Sequence, residues 1–141
     1  SFTLTPTTSG TFSASVAASR LTDSTGNNNS ASNTLSRTAD LAAPTATLST
    51  GSGDPVNGAI SVSVSLSESS ADFDSTDVTA SNASVSGFAG SGEAYSFTLT
   101  PTAAGSFNAS VAAARFTDAV GNQSALISTA EVGNAIGPDW A

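Results

Sequence analysis

Apolar and polar residues alternate along several segments of this 141-residue chain. The clearest segment is ISVSVSL at residues 60–66, in which every second side chain is aliphatic. This period of two is typical of a β-strand that buries one face and exposes the other. The pattern returns at residues 97–99 and 107–111, and no segment has the spacing of an amphipathic helix. The sequence therefore predicts an all-β protein.

Turn-forming residues divide this pattern into seven predicted strands. We letter them A to G in chain order, at residues 44–50, 59–67, 77–81, 84–89, 94–100, 106–112 and 125–131. Seven short antiparallel strands at such intervals predict an immunoglobulin-like β-sandwich. Its predicted core combines the alternating aliphatic residues with five phenylalanines: Phe73, Phe88, Phe97, Phe107 and Phe116.

The chain also repeats itself. Residues 1–27 return at residues 96–122, a displacement of 95, with 19 of the 27 positions identical. Such a displacement is domain-sized and predicts tandem repeats. Residues 1–43 are then the C-terminal part of one repeat (strands E to G) plus a linker. Residues 44–132 form a complete repeat, and residues 133–141 form a linker and the start of another.

Two interpretations of the incomplete first repeat stay open. The chain is either a fragment of a longer array, or its first 43 residues are completed by strands from another molecule. We favour the fragment, because a repeat without its first strands exposes sheet edges that are prone to pairing.

Composition and charge narrow the range of partners. The chain has 11 acidic residues, three arginines and no lysine or histidine, for a net charge of -8. This charge disfavours nucleic acid and anionic membrane surfaces, and it favours divalent cations. Without cysteine the fold is held by packing or by an oxygen-ligated metal. No apolar run approaches the 18 residues of a membrane span, so membrane insertion is not expected.

Several motifs together resemble a known family. They are SGSGDPVNG, the SES that follows strand B, FDSTDVTASNASVSGFAGSG, YSFTLTPTAAGSF, TDAVGN and the junction SNTLSRTADLAAP. In this order they are similar to the bacterial immunoglobulin-like repeats of giant secreted adhesins and biofilm proteins, over residues 1 to about 132. The resemblance implies a secreted, cell-surface stalk of many repeats, commonly stiffened by calcium at the domain junctions.

Acidic residues are concentrated where a seven-strand sandwich brings its B-to-C loop, its F-to-G loop and the start of strand A to one end. Calcium binds six to eight oxygens from carboxylates, amides and carbonyls. The predicted ligands are Glu68, Asp72, Asp74, Asp77, Asp118, Asn122 and, from the linker, Asp40. The preceding partial repeat offers Asp23 and Asn27 at the positions equivalent to Asp118 and Asn122. A calcium ion held by Asp40 as well would fix the angle between successive repeats.

A plainer interpretation of the same residues also stays open. Asp118, Gly121 and Asn122 are typical of a turn in which the aspartate binds its own backbone. The segment FDSTD is likewise typical of a short helical turn capped by Asp74. The residue equivalent to Asp40 at the next junction is Ala135, unless Asp139 replaces it.

The residue inventory argues against an enzyme. Without histidine, lysine or cysteine the chain lacks the bases and nucleophiles of most covalent catalysis. The leading hypothesis is a spacer in an extracellular adhesin or surface fibre, whose partners are neighbouring repeats of the same chain. One alternative is a self-assembling filament subunit that contacts other copies in a fibre. Another is a module that binds a host glycan, a protein or an ice surface.

Overall fold

The computed structural model describes residues 1–125 and 130–135, and the chain forms two compact units, Ser1–Ala42 and Ala43–Ala141. In the described residues the strands are β1 (Gly10–Ala14), β2 (Leu35–Ala39), β3 (Ala46–Ser49), β4 (Ile60–Ser70), β5 (Val78–Ser81), β6 (Ala83–Pro101), β7 (Gly105–Val111) and β8 (Ala130–Ala135). A 3-10 turn, Ser75–Asp77, connects β4 to β5. No helix in this part of the chain has the length and apolarity of a membrane span.

The second unit is a sandwich of two antiparallel sheets. One sheet has the strand order β3-β4-β6 and the other β5-β7-β8. Predicted strands A, B and E therefore share one sheet, and predicted strands C, F and G share the other. This is the strand arrangement of an immunoglobulin fold. The prediction of an all-β, immunoglobulin-like sandwich is confirmed.

The core of this unit follows the alternation in the sequence. Along β4 the aliphatic residues from Ile60 to Leu66 are buried, and the serines between them are exposed. From the other sheet β7 buries Phe107, Ala109 and Val111 in the same cluster. Removal of this apolar surface from water is the main favourable term in folding. The chain has no cysteine, so no disulfide adds to this stabilisation.

Aromatic side chains close one part of the core. Four rings pack with centroid separations between 5.0 and 5.7 Å: Phe73, Phe88, Tyr95 and Phe116. Phe97 and Phe107 are buried elsewhere in the cluster. All five predicted core phenylalanines thus lie in the core or pack against it.

Predicted strands D and E are one continuous strand, β6. Three glycines within it, Gly87, Gly90 and Gly92, have positive φ angles, which bend the backbone without ending the strand. A Cβ on Gly90 would collide with the carbonyl oxygen of Ala94 and lie 2.5 Å from the Cα of Tyr95. The prediction of a separating turn at GSG is therefore wrong, because these glycines serve a bend and a close backbone approach.

The last strand continues beyond its predicted end. Strand G is predicted at residues 125–131, whereas β8 covers Ala130–Ala135 and pairs with β7. Residues 126–129 of the predicted strand lie outside the described residues, as do residues 136–141 of the predicted following repeat.

A bulge interrupts the pairing between β4 and β6. Ser65 pairs with Ala94 and Ser70 pairs with Gly92, so residues 66–69 of β4 lie opposite only Glu93 of β6. Such an irregularity changes the direction of the side chains on the longer strand. Glu68 lies within this bulge, near the end of β4.

The first unit contains the pair β1-β2, in which Gly10 is opposite Ala39 and Ala14 is opposite Leu35. Its residues 1–6 are predicted to begin with strand E, but they form no strand in the structure. The loop after β1 repeats the backbone hydrogen bonds of the loop after β7: Ser19 N to Asn29 O is 3.0 Å, and Ala114 N to Ser124 O is 2.8 Å. The sequence repeat is therefore also a repeat of local structure.

Candidate metal centre

Three segments that are distant in sequence meet at one end of the second unit. Asp72, after β4, accepts hydrogen bonds from the backbone nitrogen of Thr117 (2.9 Å) and from its hydroxyl (2.8 Å). The backbone nitrogen of Ala125 donates to the carbonyl of Pro44 (3.0 Å), which joins the loop after β7 to the start of β3. The predicted convergence of the B-to-C loop, the F-to-G loop and the start of strand A is confirmed.

Glu68 and Asp118 bring two carboxylates together at this end. Their nearest oxygens lie within 4.8 Å of each other. Oxygens that share one calcium ion at about 2.3–2.6 Å are at most about 5 Å apart, so this separation suits a bridging cation. Glu68 is half-buried in the β4 bulge and Asp118 is buried in the loop after β7. The pair is the core of the candidate site.

Asp118 is held by its own loop. Its Oδ1 accepts from the backbone nitrogens of Val120 and Asn122, both at 2.9 Å, and its Oδ2 accepts from the Asn122 amide at 2.8 Å. Burial acts to raise the pKa of Asp118, but the hydrogen bonds from Asn122, Val120 and Gly121 outweigh it, and the pKa is lowered. The carboxylate is thus preorganised in the ionised form that a cation needs.

Asn122 has the orientation that the plain turn predicts. Its amide nitrogen donates to Asp118, and Gly121 has a φ of 93°. The loop therefore folds as the Asp-Gly-Asn turn described above, and this turn fixes the Asp118 carboxylate beside Glu68. The role of Asn122 as a ligand stays a prediction.

Asp72 joins two loops instead of lying in the carboxylate pair. In addition to Thr117, it accepts from the hydroxyl of Ser70 at 2.7 Å. The backbone hydrogen bond from Thr117 is the main cause of its lowered pKa. Ser70 is itself anchored, because its carbonyl accepts from the buried hydroxyl of Tyr95 at 3.1 Å. Asp72 thus sets how the B-to-C loop lies against the F-to-G loop.

Asp74 and Asp77 cap the 3-10 turn. Asp74 accepts from the backbone nitrogen of Thr76 (2.7 Å) and from its hydroxyl, and Asp77 accepts from the backbone nitrogen of Asp74 (2.9 Å). The short helical turn capped by Asp74 is therefore confirmed. The Thr76 hydrogen bonds lower the pKa of Asp74, whereas burial and the neighbouring carboxylates raise the pKa of Asp77.

These capping and tying aspartates are not grouped around one point. Within residues 1–125 and 130–135, no set of three acidic side chains close enough to share an ion includes Asp72, Asp74 or Asp77. Their predicted role as ligands stays a prediction.

The first unit repeats the Asp118 loop at Asp23. Its Oδ1 accepts from the backbone nitrogens of Thr25 (2.9 Å) and Asn27 (3.0 Å), and its Oδ2 accepts from the Asn27 amide (3.0 Å). These hydrogen bonds, first that of the Asn27 side chain, hold the pKa of Asp23 far below its usual value. Asp23 and Asn27 therefore form the same turn as Asp118 and Asn122.

Asp40 directly follows β2 in the first unit. It is exposed, and its Oδ1 accepts from the backbone nitrogen of Ala42 at 3.0 Å. Its proposed substitute at the next junction, Asp139, lies outside the described residues.

Sequence reasoning missed the two hydroxyl residues that hold Asp72, Ser70 and Thr117. A usable signal exists for Thr117, because the repeat places a threonine immediately before the turn aspartate in both TDSTGN and TDAVGN. Ser70 carries no such signal, since serine is common along the whole chain.

Comparison with known proteins gives one result. A family model described as a bacterial Ig-like domain matches residues 40–134. No curated protein and no solved structure matches the chain.

Proposed function

Because this chain belongs to the bacterial Ig-like domain family, we propose that it is a spacer in the stalk of an extracellular adhesin or surface fibre, stiffened by calcium at its domain junctions. Domains of this family are typically non-enzymatic structural modules of surface or extracellular proteins. The role in an adhesin, the array of repeats and the calcium at the junctions go beyond the family assignment and belong to the proposal.

The internal repeat supports an array. The family match covers 95 residues, from 40 to 134, which is the same length as the displacement between the two copies of the repeated segment. The repeated segment also keeps its turn hydrogen bonds, at Asp23 and again at Asp118. Similar units placed in series are the arrangement of a stalk, and the partners of each unit are then its neighbours in the chain.

The observation that carries the calcium proposal is the Glu68–Asp118 pair. Two ionised carboxylates within 4.8 Å repel each other, and a bound divalent cation removes that cost. Calcium is the preferred ion, because the neighbourhood supplies oxygen donors and the chain has no histidine or cysteine for softer metals.

Asp40 is the proposed third ligand, and chain connectivity supports it. Asp40 precedes Pro44 by four residues, which extended backbone spans in at most about 14 Å. Next to Pro44, Thr45 exchanges two hydrogen bonds with Ser67, the neighbour of Glu68 (2.8 and 2.9 Å). The start of β3 is therefore held beside Glu68, and an ion bound by all three residues would restrain the junction.

The test is thermal unfolding of the full chain in excess calcium and in chelator. A ligand at a hundred times its dissociation constant stabilises the folded state by about 2.7 kcal/mol, so we expect a clear rise in Tm with calcium. Glu68→Gln, which keeps the size and removes the charge, should abolish the rise. Asp54→Asn, in the loop between β3 and β4 at the other end of β4, is the matched control and should keep it.

Two results contradict the calcium proposal. One is an equal Tm in calcium and in chelator for the unaltered chain. The other is a calcium-dependent rise that survives Glu68→Gln, since the ion would then bind elsewhere. Either result leaves the family membership and the repeat unaffected.

A further inference from the structure

The connection between β3 and β4 contains a pair of residues that occurs only here in the sequence. It covers residues 50–59, and within it Asn57 is followed directly by Gly58. Every other asparagine of the chain precedes a residue that has a Cβ. Asparagine is chemically labile, because the backbone nitrogen of the next residue can attack its side-chain amide carbon. A glycine in that next position offers the least steric resistance to the attack, since it has no side chain.

The structure leaves both partners of this reaction accessible. Asn57 is exposed and Gly58 is half-buried. A Cβ added to Gly58 would meet no atom within 4 Å, so the space beside its backbone is open. Both residues line an open groove of about 450 Å³ together with Pro55 and Val56. Water and hydroxide therefore reach the site.

Hydrogen bonding separates Asn57 from other asparagines. The amide of Asn122 donates to Asp118 at 2.8 Å, and that of Asn82 donates to two backbone carbonyls at 3.0 and 3.2 Å. In the part of the chain that the structure describes, the Asn57 side chain makes no such bond. A bonded amide must give up its partners before it turns towards the next backbone nitrogen, and this costs free energy. The Asn57 amide has no such cost.

We propose that Asn57 is a site of spontaneous deamidation. The backbone nitrogen of Gly58 loses its proton and attacks Cγ of Asn57. A bond forms between this nitrogen and Cγ, and the bond from Cγ to Nδ2 breaks, so that ammonia leaves with a proton from solvent. Water then opens the cyclic succinimide at either of its carbonyls. Opening at the side-chain carbonyl gives aspartate, and opening at the main-chain carbonyl gives isoaspartate.

The position of Asn57 gives this modification a structural consequence. Its neighbour Val56 packs against the core and forms a bridge with Ala135 of β8. Isoaspartate directs the main chain through the side-chain carbon, which lengthens it by a methylene between this bridge and the start of β4. We expect the contact of Val56 to loosen as a result. Because the reaction needs no enzyme, the modified fraction increases with the age of the chain.

The first experiment incubates the full chain at mildly alkaline pH and follows its asparagines by peptide mass spectrometry. We expect the amide of Asn57 to be lost before those of Asn28 and Asn33, which are also exposed. The rate should rise in proportion to the hydroxide concentration, because the attacking nitrogen must first lose its proton. Ion exchange should separate the modified chains, since each adds a negative charge to the net charge of -8.

Substitutions in the same loop separate this chemistry from general instability. Gly58→Ala should slow the loss of the Asn57 amide at least about tenfold, which corresponds to about 1.4 kcal/mol of added activation free energy. The methyl group crowds the attacking nitrogen, while the open space around Gly58 should let the fold persist. Gly53→Ala is the matched control, because Gly53 also has open space around it, and it should leave the rate unchanged. Asn57→Gln should stay intact, since its amide would have to close a larger ring.

Three results overturn the proposal. One is an equal rate in Gly58→Ala and in the unaltered chain. Another is modification that begins at Asn28 or Asn33. The third is a rate in the folded chain far below that of the chain unfolded in urea, because the fold would then protect Asn57.

Urea unfolding of the purified isoaspartate form tests the structural consequence. We expect a lower midpoint than that of the unaltered chain. Asn57→Asp adds the same charge to an unchanged main chain, so it should keep its midpoint. An equal midpoint for the isoaspartate form would overturn the loosening at Val56. None of these measurements involves Glu68, so this proposal and the calcium proposal can fail separately.

Discussion

At the scale of single residues, the position of the candidate site depends on Asp72. This carboxylate makes two hydrogen bonds to Thr117 across 45 residues of sequence and a third to Ser70. Through Tyr95, which donates to the Ser70 carbonyl, the tie reaches the aromatic core. The distance between Glu68 and Asp118 therefore depends on residues that need not bind the ion themselves.

Removal of this tie should cost stability. We expect Asp72→Ala to lower the free energy of unfolding by about 1–2 kcal/mol, because the Thr117 donors lose a charged acceptor. In a double-mutant cycle with Thr117→Val, urea unfolding should give a coupling energy of at least about 0.5 kcal/mol. Thr22→Val is the control, since Thr22 is the counterpart of Thr117 in a unit that contains no counterpart of Asp72. Additive effects of the two substitutions would contradict the tie.

The pH dependence of stability should carry the same signature. Thr117 holds the pKa of Asp72 below its usual value, so the folded state binds fewer protons there than the unfolded state does. The stabilisation is present above the unfolded pKa of about 3.9 and is lost as the pH falls through the lower folded value. We expect the urea midpoint to fall between about pH 5 and pH 2, and Asp72→Asn to flatten this fall.

Asp77 provides a check on the sign of this effect. Burial raises its pKa, so its protonation favours the folded state as the pH falls. Asp77→Asn should therefore steepen the acid loss of stability, where Asp72→Asn flattens it. Slopes that change in the same direction for both variants would contradict the assignment of the two pKa shifts.

At the scale of elements, identical segments differ because their surroundings differ. Phe107 in β7 is completely buried, whereas its counterpart Phe12 in β1 is only half-buried. Both lie in similar local sequences, so intrinsic strand preference does not separate them. Packing against β3, β4 and β5 is what distinguishes the two units.

This contrast predicts unequal costs for one substitution. Phe107→Ala should lower the free energy of unfolding by about 3–5 kcal/mol, the usual loss for a buried phenylalanine. Phe12→Ala should cost at most about 1 kcal/mol, since most of the cost depends on buried volume. Urea unfolding followed by far-UV circular dichroism measures both. Equal losses would mean that the first unit buries Phe12 as fully as the second buries Phe107.

The strands were predictable where period-two alternation is strong, as in β4 and β7, because burial of one face imposes that period. The continuity of β6 was not predictable. Gly87, Gly90 and Gly92 are typical turn residues, and only the approach of Gly90 to Tyr95 reveals their use inside a strand. The irregular pairing of residues 66–69 was also hidden, since a bulge depends on the register between two strands and not on either sequence alone.

For the candidate site, sequence reasoning predicted which loops meet at one end of the sandwich, because loop positions follow from strand order. It could not separate the carboxylates by use. Asp72, Asp74 and Asp118 are all loop aspartates, and their partners are determined by loop geometry at the level of single hydrogen bonds. The turn and metal interpretations of Asp118 are compatible, because the turn holds the carboxylate beside Glu68.

At the scale of the whole molecule, the net negative charge affects both the spacing of the units and the binding of cations. A net charge of -8 makes units of this kind repel one another, and this favours extension of a chain of repeats. The same charge concentrates cations near the surface, where a carboxylate pair can select a divalent one. Calcium would then restrain a junction that is otherwise free to move, since motion between linked domains is the usual behaviour.

This restraint can be measured as the width of the distribution of distances between a spin label on the first unit and one on the second. Because the chain has no native cysteine, spin labels can be placed at two exposed positions by Ser24→Cys and Ser52→Cys. We expect pulsed electron resonance to give a broad distribution of label distances in chelator and a narrower one in calcium.

Asp40→Asn should keep the distribution broad in calcium while the second unit retains part of its calcium-dependent rise in Tm, because Glu68 and Asp118 are still present. In Asp54→Asn the distribution should narrow in calcium as it does in the unaltered chain. Narrowing that persists in Asp40→Asn would mean that the ion does not act through the linker, and would contradict the proposed role of Asp40 at the junction.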